Sequence, residues 1–204
     1  MTNKLSGKRK RGTLLILIGL LLIVAALFLA LYNMWDEARV DEVKVVILEQ
    51  LEPKAVENIE EQELPDYKKY PDMEMPVKEI DGKSYIGILE IPYLNLKLPV
   101  ISEWSYPNLK TAPCRYEGSA YQNNLIIAAH NYQSHFGNLK SLLQEEQIIF
   151  TDMDGNVFEY RVLEMEIIEP TDIERMKSGE WDLTLFTCTY GGRDRVTIRC
   201  ALAE

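Results

Sequence analysis

The sequence predicts a mainly β domain, a barrel or a sandwich, carried behind a single membrane-spanning helix and an acidic spacer. Three observations carry that prediction. Short strand-like apolar runs recur between Asp81 and the C-terminus, separated by turn residues. One pair of runs is joined at Asp154-Gly155, a hairpin turn signal. An uncharged run from Gly12 to Trp35 contains twenty consecutive residues, 13–32, with hardly a polar side chain. With 204 residues, 47% hydrophobic and 26% charged, the chain is neither wholly disordered, nor collagen-like, nor a disulfide-dense scaffold.

The net charge of −10 is unevenly spread. Residues 1–35 carry Lys4, Lys8, Arg9, Lys10 and Arg11 and no acid, for a net of +5; residues 36–79 have a net of −8 and residues 80–204 of −7. Such an acidic exterior argues against a surface that grips nucleic acid. At ~1.5 Å per residue, twenty helical residues cover the ~30 Å hydrocarbon core of a bilayer. The run is too long for a signal-peptide core, lacks an A-x-A cleavage pattern, and is apolar on every face, unlike a buried helix of a globular domain. It therefore reads as a transmembrane signal anchor, residues 13–35, with Tyr32 and Trp35 at its far interface. Five cations before the span and none just after it place the basic tail, residues 1–12, in the cytoplasm and the rest outside.

Residues 36–80 read as an acidic stalk. Val40, Val43, Ile47 and Leu51 recur at helical spacing, Pro53 ends that pattern, and Pro65, Pro71 and Pro76 mark an extended linker. The folded domain, 81–204, then reads as two strand-like runs within 84–100, broken at Ile91-Pro92. Further strands follow at 123–130, in the hairpin over 148–168, at 182–188 and at 195–202, with one helix over 136–146. Asp152-Met153-Asp154-Gly155-Asn156 has the look of a calcium loop, but its glycine comes too early and the twelfth-position acid is missing, so it reads as a turn.

Chemistry has few candidates among two histidines and three cysteines. In Leu183-Thr184-Leu185-Phe186-Thr187-Cys188 the leucines claim one face by alternation, which leaves Cys188 on the other, at a strand end beside Gly191-Gly192. Cys200 shares an apolar face with Val196, Ile198 and Leu202 and reads as a core thiol. Cys114 is undetermined, and a Cys114–Cys200 disulfide stays open. A cysteine nucleophile needs a partner for its proton, and His130 ends a strand much as Cys188 does. His135 reads as a loop or packing residue, and a zinc site from both histidines and a cysteine is a weak pattern. A developing oxyanion needs a donor. Arg195, which opens the strand returning from Cys188, is the first choice; Arg199, ~13 Å further along, and Arg193 in the turn follow. Arg195→Ala is expected to abolish turnover and Arg199→Ala to spare it.

Taken together, Thr184-Leu185-Phe186-Thr187-Cys188, Arg195 and Ala129-His130-Asn131 resemble the sortases, membrane-anchored cysteine transpeptidases of Gram-positive bacteria with a TLxTC strand, a following arginine and an upstream histidine. The runs at 86–100 and 130–139 are similar to the family's first strands and its segment after the histidine. One departure is Ala129, where glycine usually stands. The resemblance implies a closed eight-stranded β-barrel with short helices. It implies catalytic roles for Cys188 as nucleophile on an LPxTG-like sorting signal, His130 as acid and base, and Arg195 as oxyanion donor. The thioester is then resolved by an amine of a peptidoglycan precursor or a pilin lysine. No cofactor and no metal are expected. The absence of an Asp-Pro dipeptide and the early C-terminus favour wall anchoring over pilus polymerisation. His130-Asn131 and the stalk look like class B, whereas the run at 86–92 looks like classes A or D. A membrane-anchored cysteine peptidase using water and a non-catalytic surface binding domain are the competing readings.

Overall fold

A computed structural model describes residues 3–51, 64–70 and 72–203. The chain divides after Arg39 into two compact units. The first is helical: α1 runs Asn3–Leu51, and within it Thr13–Trp35 is long and apolar enough to cross a membrane, with its leucines and isoleucines exposed throughout. That is consistent with the expected anchor.

The second unit, Val40–Glu204, is a β-barrel. Among the described residues nine strands are formed: β1 (Lys78–Ile80), β2 (Lys83–Ile91), β3 (Leu96–Ile101), β4 (Cys114–Glu117), β5 (Leu125–Ala128), β6 (Gln147–Asp152), β7 (Val157–Ile168), β8 (Leu183–Cys188) and β9 (Arg195–Leu202). Their order is β1-β2-β3-β4-β5-β8-β9-β7-β6, and β6 pairs back onto β2. Eight strands thus close on themselves, leaving β1 as a short flap on β2. Closure removes the free sheet edges. The seam needs Gly87, because a Cβ there would run into the Thr151 carbonyl and meet a Phe150 ring carbon at 2.6 Å. Pro92, which has no amide hydrogen for a ladder, sits in a 3-10 turn between β2 and β3, and Asn95 takes the left-handed conformation that ends it.

Two apolar clusters share the sheet. Inside the barrel, Leu89, Leu98, Val100, Leu125, Ile127, Phe150, Tyr160, Leu183, Leu185 and Ile198 pack together, with Cys200 among them. Outside it, Tyr85, Ile88, Ile101, Cys114 and Ala128 pack with Leu109 of α3 (Tyr106–Leu109) and with Ile47 and Leu51 from the end of α1. Burial of one such side chain contributes about 1.5–3 kcal/mol. The spacer read over 36–80 is therefore only partly a spacer. Of its predicted apolar stripe, Ile47 and Leu51 are buried, while the side chains of Val40 and Val43 and the stop at Pro53 lie outside the described residues. The expected linker also packs: a one-turn helix α2 (Asp66–Lys69) stacks Tyr67 on Tyr121 at 4.6 Å, and Met75 joins the interior cluster.

The helix expected over 136–146 is not formed. Only a 3-10 turn, Leu139–Ser141, occurs there. The amides of His135 and Gly137 donate to the Tyr132 carbonyl, and that of Phe136 to the His130 carbonyl. This folds the segment into a tight loop, from which Phe136, Leu139 and Leu142 enter the core. Apolar spacing that imitates a helix is here a set of three plugs.

Candidate active site

Register places the three candidate residues side by side. On parallel strands β5 and β8, Ala128 is opposite Phe186, so His130 and Cys188 stand two positions further along the same two strands. The Ala129 amide donates to the Phe186 carbonyl at 3.2 Å, and Thr187 Oγ1 donates to the Ala129 carbonyl at 2.8 Å, which extends the pairing past the end of β5. Across the antiparallel pair, Cys188 is the direct partner of Arg195. Neighbouring strands lie about 4.8 Å apart. Cys188 is thus the middle of three adjoining strand ends, with His130 on one side and Arg195 on the other.

The β8–β9 loop is closed by its own hydrogen bonds. Thr189 N–H donates to the Asp194 carbonyl (2.9 Å), Asp194 N–H to Thr189 Oγ1 (3.1 Å) and Gly192 N–H to the Thr189 carbonyl (2.8 Å). Gly191 and Gly192 both have positive φ, +94° and +75°, which side chains rarely adopt. Arg195 turns its guanidinium back to the carbonyls of Asp194 (3.2 Å) and Gly192 (3.4 Å).

His130, Cys188 and Arg195 line one groove of ≈ 250 Å³ on the outside of the barrel. One wall is aromatic, with Trp104 packed on Tyr106 (5.2 Å) and on Tyr116 (6.0 Å). Tyr116 stands edge-on to Phe186 at 5.3 Å. More of the lining comes from the β7–β8 connection, through Glu169, Asp172, Ile173 and Met176. That connection holds a short helix, α4 (Ile173–Lys177), whose first turn is capped by Asp172 accepting from the Arg175 amide. Of these residues, Phe186 was legible in advance: two positions before Cys188 on a strand, it shares the cysteine's face. The rest of the walls come from connections whose paths alternation does not give.

The other thiols differ sharply. All three cysteines are free, so no Cys114–Cys200 disulfide is formed. Cys114 and Cys200 are buried, and desolvation pushes their thiols up, that of Cys114 to about 12. A thiol held neutral is a poor nucleophile. Cys188 is half-buried and opens into the groove.

His135 is 1% exposed, its ring 5.6 Å from that of Tyr132, which in turn lies 4.9 Å from His130. It packs, as expected, in the loop behind the site. Among the described residues, no three His, Cys, Asp or Glu side chains are grouped to share a metal ion. Asp152, the first residue of the calcium-like stretch, is committed to the turn. Its carboxylate accepts from the amides of Asp154 (2.9 Å) and Asn156 (2.8 Å), from Asn156 Nδ2 (2.8 Å) and from the Tyr121 hydroxyl (2.6 Å).

From sequence Arg199 reads as an outward-facing arginine ranked behind Arg195, and the structure corrects its dispensability. It does point outward from the barrel, but it is 1% exposed beneath α4. It is bonded into the scaffold and is not among the residues that line the groove.

A closed barrel with a thiol, an imidazole and a guanidinium gathered on an outer groove has the parts for thiol-based acyl transfer. A family model described as a sortase domain matches residues 89–203. In sequence, the chain is 27% identical to Sortase A of Bacillus anthracis over 158 residues, 68% of this chain and 75% of that one. Among solved structures, a sortase D5 transpeptidase of Clostridium perfringens superposes with a TM-score of 0.57 at 19% identity, covering 80% of this chain and 98% of that one. Sortase A of Corynebacterium diphtheriae gives 0.55 at 20% identity, covering 60% of this chain and 62% of that one, less than two thirds of its length. A sortase C of C. perfringens, solved with the C-terminal cell wall sorting motif, gives 0.54 at 23% identity over 68% and 86%. The chain belongs to the sortase family, and it is a transpeptidase of the kind that family comprises.

Proposed function

We propose that this sortase cleaves an LPxTG-like sorting signal on secreted proteins and transfers them to a cell-wall amine. The Cys188 thiolate attacks the carbonyl before the scissile bond. Arg195 donates to the resulting oxyanion, exchanging the loop carbonyls it now holds for the substrate oxygen. Imidazolium at His130 gives its proton to the departing amine as the C–N bond breaks, leaving a thioester on Cys188 and a neutral imidazole. An acceptor amine, from a peptidoglycan precursor or a pilin lysine, then attacks the thioester. It gives its proton to His130, and the thiolate leaves. No cofactor or metal takes part. The anchor sits in the cell membrane with the N-terminus cytoplasmic, so the barrel works on the outer surface.

One observation carries this proposal: the register that sets Cys188 between His130 and Arg195 on a single groove. The test is to incubate the full-length chain in detergent micelles with a library of sorting-signal peptides, with and without an amine acceptor. The expected result is amine-dependent formation of a new amide, absent in Cys188→Ala. Cleavage of no peptide would sink the reading, and a product indifferent to amine would make the enzyme a peptidase.

A further inference from the structure

The proposed chemistry uses the open end of the β8–β9 hairpin and gives no role to its covered end. There Arg199, paired across the hairpin with Thr184, is 1% exposed. Its guanidinium donates to Glu166 Oε1 (2.7 Å), Thr184 Oγ1 (3.0 Å) and the carbonyls of Met176 (2.8 Å) and Arg175 (2.7 Å). Glu166 also accepts from Arg175 Nε (3.0 Å) and Nη2 (2.9 Å). The Trp181 ring lies 6.0 Å from the guanidinium.

What this cluster holds is one wall of the groove. Helix α4 has five residues, too few to be stable alone, and its last carbonyls have no helical partners. Arg199 takes two of those carbonyls and ties them to the strand that follows Cys188. Glu166 fastens the same turn from β7 through Arg175. Met176, whose carbonyl is held, is itself a groove residue, as are Ile173 and Asp172 of the same turn. They line the same groove as Tyr116 and Phe186.

We propose that Arg199 and Glu166 are positioning residues that set the width of the peptide subsite. They fix α4, and through it Ile173 and Met176, at a set distance from the aromatic wall, so that side chains ahead of the scissile bond are selected by fit. Neither residue touches the reacting atoms. The inference rests on the groove being the transpeptidase site proposed above.

The test compares the full-length wild type with Glu166→Gln and Arg199→Lys, each of which keeps the volume while weakening the clamp. Steady-state kinetics are run on a panel of sorting peptides varied one residue at a time, with iodoacetamide alkylation of Cys188 and thermal unfolding alongside. For the best peptide, KM is expected to rise about tenfold with kcat within about threefold, the pattern of lost substrate binding. The spread of kcat/KM across the panel narrows, and alkylation by the small reagent keeps its wild-type rate. Folded variants with wild-type KM and wild-type peptide preference would overturn the inference, as would a fall in kcat alone. If one variant does not fold, the other decides. If the wild type itself turns over no peptide, the reading of the site falls and this inference with it.

Discussion

Arg195 and Arg199 stand four residues apart on the same face of β9, and the molecule uses them in opposite ways. At one end of the β8–β9 hairpin Arg195 is half-exposed, its guanidinium bonded to carbonyls of its own loop, and opposite Cys188. At the other end Arg199 is sealed under α4 and bonded to a carboxylate, a hydroxyl and two carbonyls. The strand gives both the same orientation. What separates a group free to meet substrate from a group fixed in the scaffold is the cover laid over it by the β7–β8 connection. The cysteines repeat the contrast: Cys188 opens to the groove, and Cys200, opposite Leu183 on the same hairpin, is enclosed.

The largest effect should come from breaking the covered end. Arg199→Ala leaves Glu166 still paired with Arg175 but takes the donor from the Met176 carbonyl and from Thr184 Oγ1, and each buried polar group left unsatisfied costs about 1–3 kcal/mol. Chemical denaturation of the full-length protein in micelles is expected to show that loss, with activity falling as the fold does. A variant as stable as wild type would mean that the two ends are not different after all. This reverses the sequence-based expectation that Arg199→Ala spares turnover.

At the open end the effect is on rate. Arg195→Ala is expected to lower kcat by about 10²–10³-fold, the usual loss for one oxyanion donor, with the unfolding free energy within about 0.5 kcal/mol of wild type. Loss of stability without loss of kcat would exchange the roles of the two arginines.

The smallest effects are in the thiols. At neutral pH iodoacetamide should label one of the three cysteines, Cys188, which peptide mapping would verify. Labelling of Cys114 in the native protein would contradict its burial. Desolvation first, aided by Asp81 and Cys114, also raises the Tyr85 hydroxyl from 10.0 to about 12, and Cys114 rises from 9.0 to about 12. The folded state therefore keeps protons that the unfolded chain releases. These groups contribute stability in full below about pH 9, and the contribution is lost as pH rises from there toward 12. Unfolding curves taken across that window should show the decline, and a flat profile would remove these two groups as its source.

Much of this was legible in the sequence where the chain obeys a period. Alternation put Leu183 and Leu185 inside and Cys188 outside, Asp154-Gly155 turned where expected, and Ile91-Pro92 broke the first strands. The failures share a physical cause. Arg199 was oriented correctly, but burial depends on α4, which arrives from a connection with no repeating pattern. Leu139 and Leu142 have helical spacing, yet backbone bonds to His130 and Tyr132 fold their segment as a loop. Tyr67 and Met75 lie in a proline-marked acidic stretch and are nonetheless held by aromatic stacking and the core. Local patterns report which way a side chain points; what comes to lie over it is a tertiary fact.

The central claim, that Cys188 is the nucleophile of an acyl-transfer reaction, is tested most directly by intact-mass analysis of the full-length protein mixed with a cleaved sorting peptide in the absence of an amine acceptor. The account predicts one added acyl group, mapped to Cys188, absent from Cys188→Ala and discharged when an amine is supplied. No adduct from a peptide that is nevertheless cleaved, or an adduct on Cys114 or Cys200, would contradict it.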